Sequence, residues 1–217
     1  MTITAAADGS ALGNPGPAGW AWYVDDNCWA AGGWKHATNN QGELTAVLEL
    51  FRATAHVDDD LLILCDSQYV INTVTKWMAG WKRKGWRKGD GKPVMNLDLI
   101  KQIDEAIAGR RYRFEWIKGH AGHPLNEAAD ARARAVSEAF ARGATPATGP
   151  GFPGASASPA VELIQPVAAP VPATLFSFDD EETHQVVLDL GEDDYARLVA
   201  RARAAGVTPQ ELLRTLI

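Results

Sequence analysis

The sequence predicts an α/β domain built on a five-stranded mixed sheet, in which three antiparallel strands are followed by parallel ones and helices flank the sheet. Three observations predict this fold. Residues 3–34 contain three strand-like stretches in succession, two of them joined by the turn sequence Asp25-Asp26-Asn27. The run 61–65 is entirely apolar, as in a strand buried on both faces. Stretches with helical periodicity separate this run from the strands on either side.

The first half of the chain is predicted to form the antiparallel part of the sheet and one helix. The first strand runs from Ile3 to Ala7 and is expected to end at Asp8, because a turn rich in Gly and Pro follows at 9–17. Strands at 20–25 and 28–34 return alongside it. A helix begins after the capping sequence Thr38-Asn39-Asn40, and its apolar residues recur at helical spacing up to residue 51.

The second half is predicted to add the parallel strands and three more helices. Asp66-Ser67 follows the strand 61–65 and is a cap signal for the next helix. Asn96 is expected to cap another helix that ends at Gly109. The last strand is expected at 111–118, and the glycine-rich loop 119–124 leads into a helix that carries Asp130.

Acidic residues occupy related places in these elements. Asp8 and Asp66 each end a predicted strand. If both strands end at one sheet edge, the two carboxylates approach each other, which is costly unless a cation or a proton lies between them. Glu43 and Asp130 lie in helices expected to border that sheet. Each acid alone also has a local explanation as a turn residue, a helix cap or a charge at a helix N-terminus.

Residues 76–92, here called the basic segment, are rich in both cations and tryptophan. No acid interrupts this segment before Asp90. A nucleic-acid backbone attracts cations, and its sugars and bases stack on indole faces. The segment therefore predicts nucleic-acid binding, with Trp77 expected to pin it to the core. The candidate contacts are Trp81, Lys82, Arg83, Lys84, Trp86, Arg87 and Lys88.

The charge of the chain is unevenly distributed. Residues 1–143 carry 17 basic and 17 acidic side chains, whereas residues 144–217 carry 4 basic and 10 acidic ones. The overall charge of −6 therefore does not exclude a polyanionic ligand for the first part.

The two cysteines, Cys28 and Cys65, lie in predicted strands and are expected to be buried thiols. Without a visible signal peptide or spanning segment, a cytoplasmic location and no membrane association are expected.

The composition changes after residue 142, which predicts a domain boundary there. Seven of the 12 prolines lie in 143–173, a linker expected to be extended and poorly ordered. Residues 174–217 are predicted to form a small module with one strand and two helices. This pattern resembles a ribbon–helix–helix module, which implies dimerisation or protein contact. A small unrelated docking or tail domain explains the pattern equally well.

Five blocks in residues 2–142 resemble type 1 ribonuclease H (ribonuclease HI) in order and spacing. They are DGSALGNPGPAGWA at 8–21, TNNQGELTAV at 38–47, CDSQYV at 65–70, WKRKGWRKGDGKPVMNLDL at 81–99 and WIKGHAGHPLNEAADARA at 116–133. One Asp-Gly or Asp-Ser pair is weak evidence, whereas five blocks in register are specific. The resemblance implies a ribonuclease H-like fold, with 1–142 as a monomeric catalytic domain.

The resemblance also implies an activity and the residues that perform it. It implies an endoribonuclease that hydrolyses the RNA strand of RNA/DNA hybrids and leaves 5′-phosphate and 3′-hydroxyl ends. Two Mg²⁺ ions are implied as cofactors, with Mn²⁺ as an alternative. The implied metal ligands are Asp8, Glu43, Asp66 and Asp130, and His120 is implied to relay a proton or assist product release. The residues implied to line the RNA 2′-hydroxyl groove are Asn14, Asn39, Asn40 and Gln68, and Thr38 is implied to contact a phosphate.

Two other functions are compatible with parts of the pattern. A non-catalytic binder of hybrids or double-stranded RNA would explain the basic segment, but it would not need the four acids. A transposase- or integrase-like nuclease acting on DNA would explain the acids, but it would not need the polar groove residues. Cleavage of a hybrid in the presence of Mg²⁺ separates these possibilities.

Overall fold

A computed structural model describes residues 1–89, 91–155 and 201, and all but the last belong to the compact unit Met1–Pro166. This unit contains a five-stranded sheet with the order β3-β2-β1-β4-β5. The strands are β1 (Thr2–Ala11), β2 (Gly16–Asp25), β3 (Cys28–Ala37), β4 (Asp60–Cys65) and β5 (Tyr112–Trp116). The pairs β1–β2 and β2–β3 are antiparallel, and β1–β4 and β4–β5 are parallel, so the predicted mixed sheet is confirmed.

Helices cover both faces of this sheet. They are α1 (Asn39–Ala53), α2 (Gln68–Asn72), α3 (Met78–Arg83), α4 (Leu97–Ala106) and α5 (Pro124–Ala141), with a π-helical turn at Thr73–Trp77 between α2 and α3. The helix predicted after Asp66 is thus interrupted by a π-turn, which the sequence pattern does not predict. Within the described residues, no helix is long and apolar enough to cross a membrane.

Alternate residues of β1 face different helices. Ala5 and Ala7 belong to the larger core cluster, which includes the apolar side chains of α1 and α4. Ala6 packs instead with Ala129 of α5. Because side chains alternate across a strand, α1 and α5 lie on opposite faces of the sheet. Asp8 shares the parity of Ala6 and therefore lies on the α5 face.

Helix α1 approaches β1 closely because glycines form the contact. A Cβ added at Gly9 would overlap the backbone nitrogen of Glu43 and lie 2.7 Å from the carbonyl carbon of Gly42. A Cβ at Gly42 would lie 2.7 Å from the carbonyl oxygen of Gly19. This contact carries Glu43, in the first turns of α1, up to the strand that contains Asp8.

The first strand is longer than the sequence predicts, so the expectation that Asp8 ends it is wrong. β1 continues to Ala11 because its antiparallel pairing with β2 persists as far as Ala11–Ala18. On the other side, the parallel pairing with β4 ends at Ala6–Leu64. Asp8 therefore lies inside β1 but beyond the end of its parallel neighbour. The sheet opens beside Asp8, although the strand itself continues.

The helix caps agree with the sequence at two sites and differ at a third. Thr38 and Gln41 form a reciprocal capping box at the start of α1. The Ser67 hydroxyl accepts from the Val70 N–H at the start of α2. Asn96 precedes α4 in a left-handed conformation with φ 55° and makes no side-chain cap. Its amide instead donates to the Tyr69 hydroxyl at 3.4 Å, and α4 ends at Ala106 rather than near Gly109.

The chain after α5 returns to the sheet over part of the predicted linker. The Ala31 N–H donates to the Thr148 carbonyl, and the Gly151 N–H donates to the Trp29 carbonyl, both at 3.0 Å. Phe152 packs against the larger core cluster. Residues 148–152 therefore cover the outer edge of β3, and the folded unit continues beyond residue 142. The rest of the predicted linker and, apart from Arg201, the predicted module 174–217 lie outside the described residues.

Candidate functional site

Asp8 lies on the central strand where the sheet opens, and only 6% of it is exposed. One carboxylate oxygen accepts the N–H of Gly9 at 2.7 Å. The Gly9–Gly42 contact brings α1 to one side of this strand, and α5 packs on the other side. Asp8 is thus a buried carboxylate that side chains from both faces of the sheet can reach.

Glu43 is held from both sides of its carboxylate. The Asn39 amide donates to Oε1 at 2.9 Å, and the Ser67 hydroxyl donates to Oε2 at 2.6 Å. Ser67 also caps α2, so the start of α2 is tied directly to the first turns of α1. These donors fix the Glu43 side chain in the half-buried space between the two helix N-termini.

Asp66 follows β4 and lies against the end of β5. The Trp116 indole N–H donates to the Asp66 carbonyl at 3.0 Å, and the Ile117 N–H extends the parallel pairing to the Cys65 carbonyl at 3.2 Å. Gly119 lies directly over the Asp66 carboxylate, because a Cβ added there would overlap Oδ2. The end of β5 and the turn after it therefore border the Asp66 side chain.

Asp130 and His120 complete the site from the side of α5. His120 lies in the glycine-rich loop with φ 51°, and its Nδ1 is 3.7 Å from Asp130 Oδ2. The His120 side chain is 79% exposed, whereas that of Asp130 is 24% exposed. This arrangement leaves the imidazole open to solvent beside a partly buried carboxylate.

The four carboxylates interact electrostatically, as the sequence predicts for acids that meet at one sheet edge. Burial is the largest cause that raises the pKa of Asp8, and the charges of Asp66, Asp130 and Glu43 raise it further. The Gly9 N–H opposes the shift, and the resulting pKa is about 8. Burial, with a contribution from the charge of Asp66, raises the pKa of Glu43 to about 7, although the Ser67 hydroxyl opposes the shift. Ionisation of all four acids would gather negative charge in a partly buried region, so without a cation the site favours protons on Asp8 and Glu43.

These oxygen donors fit hard divalent cations better than a zinc site. Mg²⁺ prefers carboxylate oxygens and water, and excess negative charge around Asp8 is the charge that a cation would neutralise. Among the described residues, no three His, Cys, Asp or Glu side chains are already arranged to hold one metal ion. Like charges repel, and both oxygens of Glu43 are engaged by Asn39 and Ser67. Rotation of these side chains is needed before they share an ion.

The predicted groove residues cluster at the starts of α1 and α2. Asn14, in the turn after β1, accepts the backbone N–H of Asn39 at 3.2 Å. The Thr38 hydroxyl takes part in the capping box with Gln41. Asn40 is half-buried beside them, and Gln68 is exposed as the first residue of α2. Asn39 and Gln68 thus flank the Glu43–Ser67 contact.

The tryptophans of the basic segment have different roles from those expected. Trp77 is 41% exposed, so the expectation that it pins the segment to the core is wrong. Trp81 and Trp86 are the ones that pack against the larger core cluster while remaining partly exposed. The rings of Trp77 and Trp81 lie 5.7 Å apart. A π-turn that ends at Trp77 precedes α3, the helix that carries Trp81, and the sequence pattern does not predict this turn.

The cations of the basic segment are also not equivalent. The Lys82 ammonium lies 2.6 Å from a carboxylate oxygen of Asp104 on α4, so an intramolecular partner already holds it. Arg87 donates to the Gly91 carbonyl at 3.1 Å. Arg83 and Lys84 are exposed where α3 ends, and Lys88 is half-buried. Arg83 and Lys84 are therefore the best placed of the five for an external anion.

Sequence reasoning did not include three residues that contact Glu43 or Asp66. Ser67 holds Glu43, Trp116 holds the Asp66 backbone, and Gly119 borders the Asp66 carboxylate. Ser67 is visible in the sequence only as a helix cap. Trp116 is 51% exposed, and an exposed indole carries no sequence signal of its own.

The fold and this site define a class of protein: a nuclease whose central sheet gathers carboxylates at one edge, beside a cationic surface. Residues 1–138 match the family described as RNase H. Ribonuclease H of Tropheryma whipplei strain Twist is 55% identical over 150 residues, which are 69% of this chain and 93% of that protein. Ribonuclease H of Methylorubrum extorquens strain PA1 is 38% identical over 217 residues, covering 97% of this chain and 86% of that protein.

A solved structure is similar as well. It is the crystal structure of LC9-RNase H1, described as a type 1 RNase H with the type 2 active-site motif. The match has a TM-score of 0.54 and 29% sequence identity, and it covers 69% of this chain and 77% of that chain. The chain belongs to the ribonuclease H family. The predicted resemblance for residues 2–142 is thereby confirmed.

Proposed function

We infer that this chain hydrolyses the RNA strand of RNA/DNA hybrids as an endonuclease, and we propose that Asp8, Glu43, Asp66 and Asp130 are the residues that bind its catalytic cations. The observation that carries the proposal is the electrostatic coupling of Asp8 to the other three acids. A negatively charged phosphodiester would be repelled by these acids alone. Divalent cations reverse the sign of the charge and allow the substrate to approach.

We propose two Mg²⁺ ions as the cofactors, with Mn²⁺ as an alternative. Ions held by these four carboxylates would supply the activation of a water molecule and the stabilisation of the leaving oxygen, and the expected products carry 5′-phosphate and 3′-hydroxyl ends. Asp8 is central because it lies between the side that carries Glu43 and the side that carries Asp130. Asn39 and Ser67 orient Glu43, and exposed His120 is placed to exchange a proton with solvent beside Asp130.

The residues at the starts of α1 and α2 are proposed to contact the RNA strand. Asn14, Asn39, Asn40 and Gln68 offer amide groups along the edge that carries Glu43, and Thr38 lies beside them. Amides can donate to and accept from a 2′-hydroxyl, which is the group that distinguishes RNA from DNA. Contacts to 2′-hydroxyls and phosphates carry no base information, so we expect little dependence on base sequence.

The basic segment is proposed to hold the DNA strand. Trp81 and Trp86 are fixed to the core on one side and partly exposed on the other, as stacking platforms for sugars require. Arg83 and Lys84, with Arg87 and Lys88 further along, supply positive charge for phosphates. Lys82 contributes less, because Asp104 already neutralises its charge.

The function is tested with a labelled RNA/DNA hybrid, Mg²⁺ and two versions of the full chain. The parent protein is expected to cut the RNA strand and to leave the same sequence intact when it is supplied as duplex DNA. Asp8→Asn keeps the shape of the side chain but removes the negative charge, so we expect cleavage to fall by about 10²- to 10³-fold, as when a group that stabilises the transition state is lost. Hybrid affinity measured in Ca²⁺ is expected to change little.

Two results would contradict the proposal. Intact RNA after incubation with folded parent protein and Mg²⁺ would reject the nuclease activity. Cleavage by Asp8→Asn at the parent rate would retain the activity but reject Asp8 as a metal ligand. The dimerisation role of residues 174–217 and the cytoplasmic location stay predictions.

A further inference from the structure

The last residue of β5 and the turn after this strand both contact Asp66. Two contacts join them: the Trp116 indole N–H reaches the Asp66 carbonyl at 3.0 Å, and Gly119 lies over the Asp66 carboxylate. Trp116 leaves half of its surface in solvent, so burial of the ring does not account for its place. Both contacts act on one residue, the acid that follows β4.

The absence of a Cβ at Gly119 leaves space for the Asp66 carboxylate. A Cβ at this position would overlap Oδ2 of Asp66 and lie 3.3 Å from Cγ. Gly119 does not have the positive φ that favours glycine elsewhere in this loop, at Gly122. The backbone at Gly119 thus accepts any residue, and the requirement for glycine arises from the Asp66 carboxylate alone.

We propose that Trp116 and Gly119 are positioning residues for Asp66: the indole fixes its backbone, and the glycine leaves the space that its carboxylate occupies. The proposal deepens the proposed function, because it rests on Asp66 as a cation ligand. An added methyl group meets the end of a flexible side chain and not the backbone. The carboxylate therefore turns away while the fold is retained, and the loss appears in cation binding. Groups that orient metal ligands typically change metal affinity or activity by about 10- to 100-fold when they are removed.

The test compares three variants of the full chain: Gly119→Ala, Trp116→Phe and the control Ala121→Ser. Trp116→Phe keeps an aromatic ring and removes only the N–H donor. Ala121→Ser adds one heavy atom at an exposed position of the same loop. Each protein is measured for its urea unfolding midpoint without metal, for Mg²⁺ binding without substrate by calorimetry, and for kcat and KM on a hybrid.

Gly119→Ala is expected to unfold at the parent urea concentration and to bind Mg²⁺ at least about tenfold more weakly. Its kcat at low Mg²⁺ falls, and high Mg²⁺ restores part of it, while KM for the hybrid stays within about twofold. Trp116→Phe is expected to weaken Mg²⁺ binding less, because the carboxylate keeps its space. Ala121→Ser is expected to match the parent in every measurement.

Parent-like Mg²⁺ affinity in both Gly119→Ala and Trp116→Phe overturns the proposal. So does a Gly119→Ala protein that loses stability without losing Mg²⁺ affinity, because that result identifies a structural role. If Gly119→Ala does not fold, Trp116→Phe decides alone. Failure of the parent protein to cleave a hybrid would reject the proposed function. A parent protein that cleaves, together with Gly119→Ala and Trp116→Phe proteins that are both unaffected, would reject only the positioning roles.

Discussion

At the scale of single residues, the proposed chemistry depends on carboxylates that repel one another when all of them are ionised. Asp8 is almost fully buried, and Glu43 is half-buried beside it. Burial and the neighbouring charges raise the pKa of Asp8 to about 8 and that of Glu43 to about 7. At neutral pH the metal-free site therefore binds protons that the unfolded chain would release.

This proton binding predicts how the stability of the metal-free protein depends on pH. The ordinary pKa of Asp8 is 3.8 and that of Glu43 is 4.5, both well below the values in the folded protein. The folded state binds more protons between about pH 4 and pH 8, so the free energy of unfolding falls as pH rises through this window. We expect a loss of at least about 1.4 kcal/mol between pH 5 and pH 8, the equivalent of one pKa unit.

Urea unfolding in EDTA at constant ionic strength measures this loss. Asp8→Asn removes the group with the larger shift, so its stability should depend less on pH than that of the parent. Added Mg²⁺ should restore stability at pH 8 in the parent protein, because a ligand that binds only the folded state stabilises it. A parent protein whose stability does not change between pH 5 and pH 8 would contradict this account of the site.

At the scale of elements, close contacts between backbones set the distances between the acids. Gly9 and Gly42 let α1 approach β1, and Gly19 lets α5 approach β2, since a Cβ there would overlap the Ala133 carbonyl oxygen. The two helices thus lie close to opposite faces of one pair of strands. Glu43 and Asp130 reach Asp8 from these two sides because the parallel pairing of β1 with β4 has already ended.

The contact between α1 and β1 predicts that Gly9→Ala is strongly destabilising. The added methyl group would overlap the backbone of Gly42 and Glu43, and neither can rotate away as a side chain could. We expect the free energy of unfolding to fall by about 2 kcal/mol, the usual cost of overpacking a close contact. Urea unfolding of Gly9→Ala and of the control Gly80→Ala measures it, because a Cβ at Gly80 meets nothing within 4 Å.

Gly9→Ala also tests whether the position of Glu43 affects cleavage separately from the stability of the fold. Helix α1 must move outward to accept the added methyl group, and Glu43 moves with the helix. Cleavage activity of the protein fraction that remains folded should therefore fall below that of Gly80→Ala. Equal stability of the two variants would show that the glycine contact is not required.

At the scale of the whole molecule, the folded unit includes chain that composition assigns to a linker. Residues 148–152 bond to the outer edge of β3, Phe152 packs on the core, and the Pro153 carbonyl lies 3.1 Å from Nε2 of His56. An exposed strand edge can pair with another chain, so this cover also reduces the risk of aggregation. The predicted boundary at residue 142 falls before these contacts.

Truncation tests where the folded unit ends. A chain of residues 1–155 keeps these contacts, whereas a chain of residues 1–142 loses the two backbone hydrogen bonds to β3, the contact of His56 with the Pro153 carbonyl and the packing of Phe152. We expect the shorter chain to be less stable by about 2 kcal/mol and to aggregate at lower concentration. Urea unfolding and light scattering of the two chains measure these differences. Equal stability of both chains would place the end of the folded unit at residue 142 after all.

Much of this architecture follows from the sequence because the signals are local. Apolar periodicity and turn residues place the five strands and the long helices, and Thr38 and Ser67 mark helix starts by their capping chemistry. The five sequence blocks identify the family and assign the four acids. These features depend on neighbouring residues or on order along the chain, and a single sequence contains both.

Only the tertiary structure decided features that depend on residues distant in the chain. β1 continues past Asp8 because β2 still pairs with it. Trp81 and Trp86 pack on the larger core cluster, whereas Trp77 is 41% exposed. Trp116 and Gly119 border Asp66 because β5 lies beside β4. The sequence by itself determined the family and the groups that are proposed for the chemistry, because both follow from order along the chain. The packing of one element on another decided which residues contact those groups.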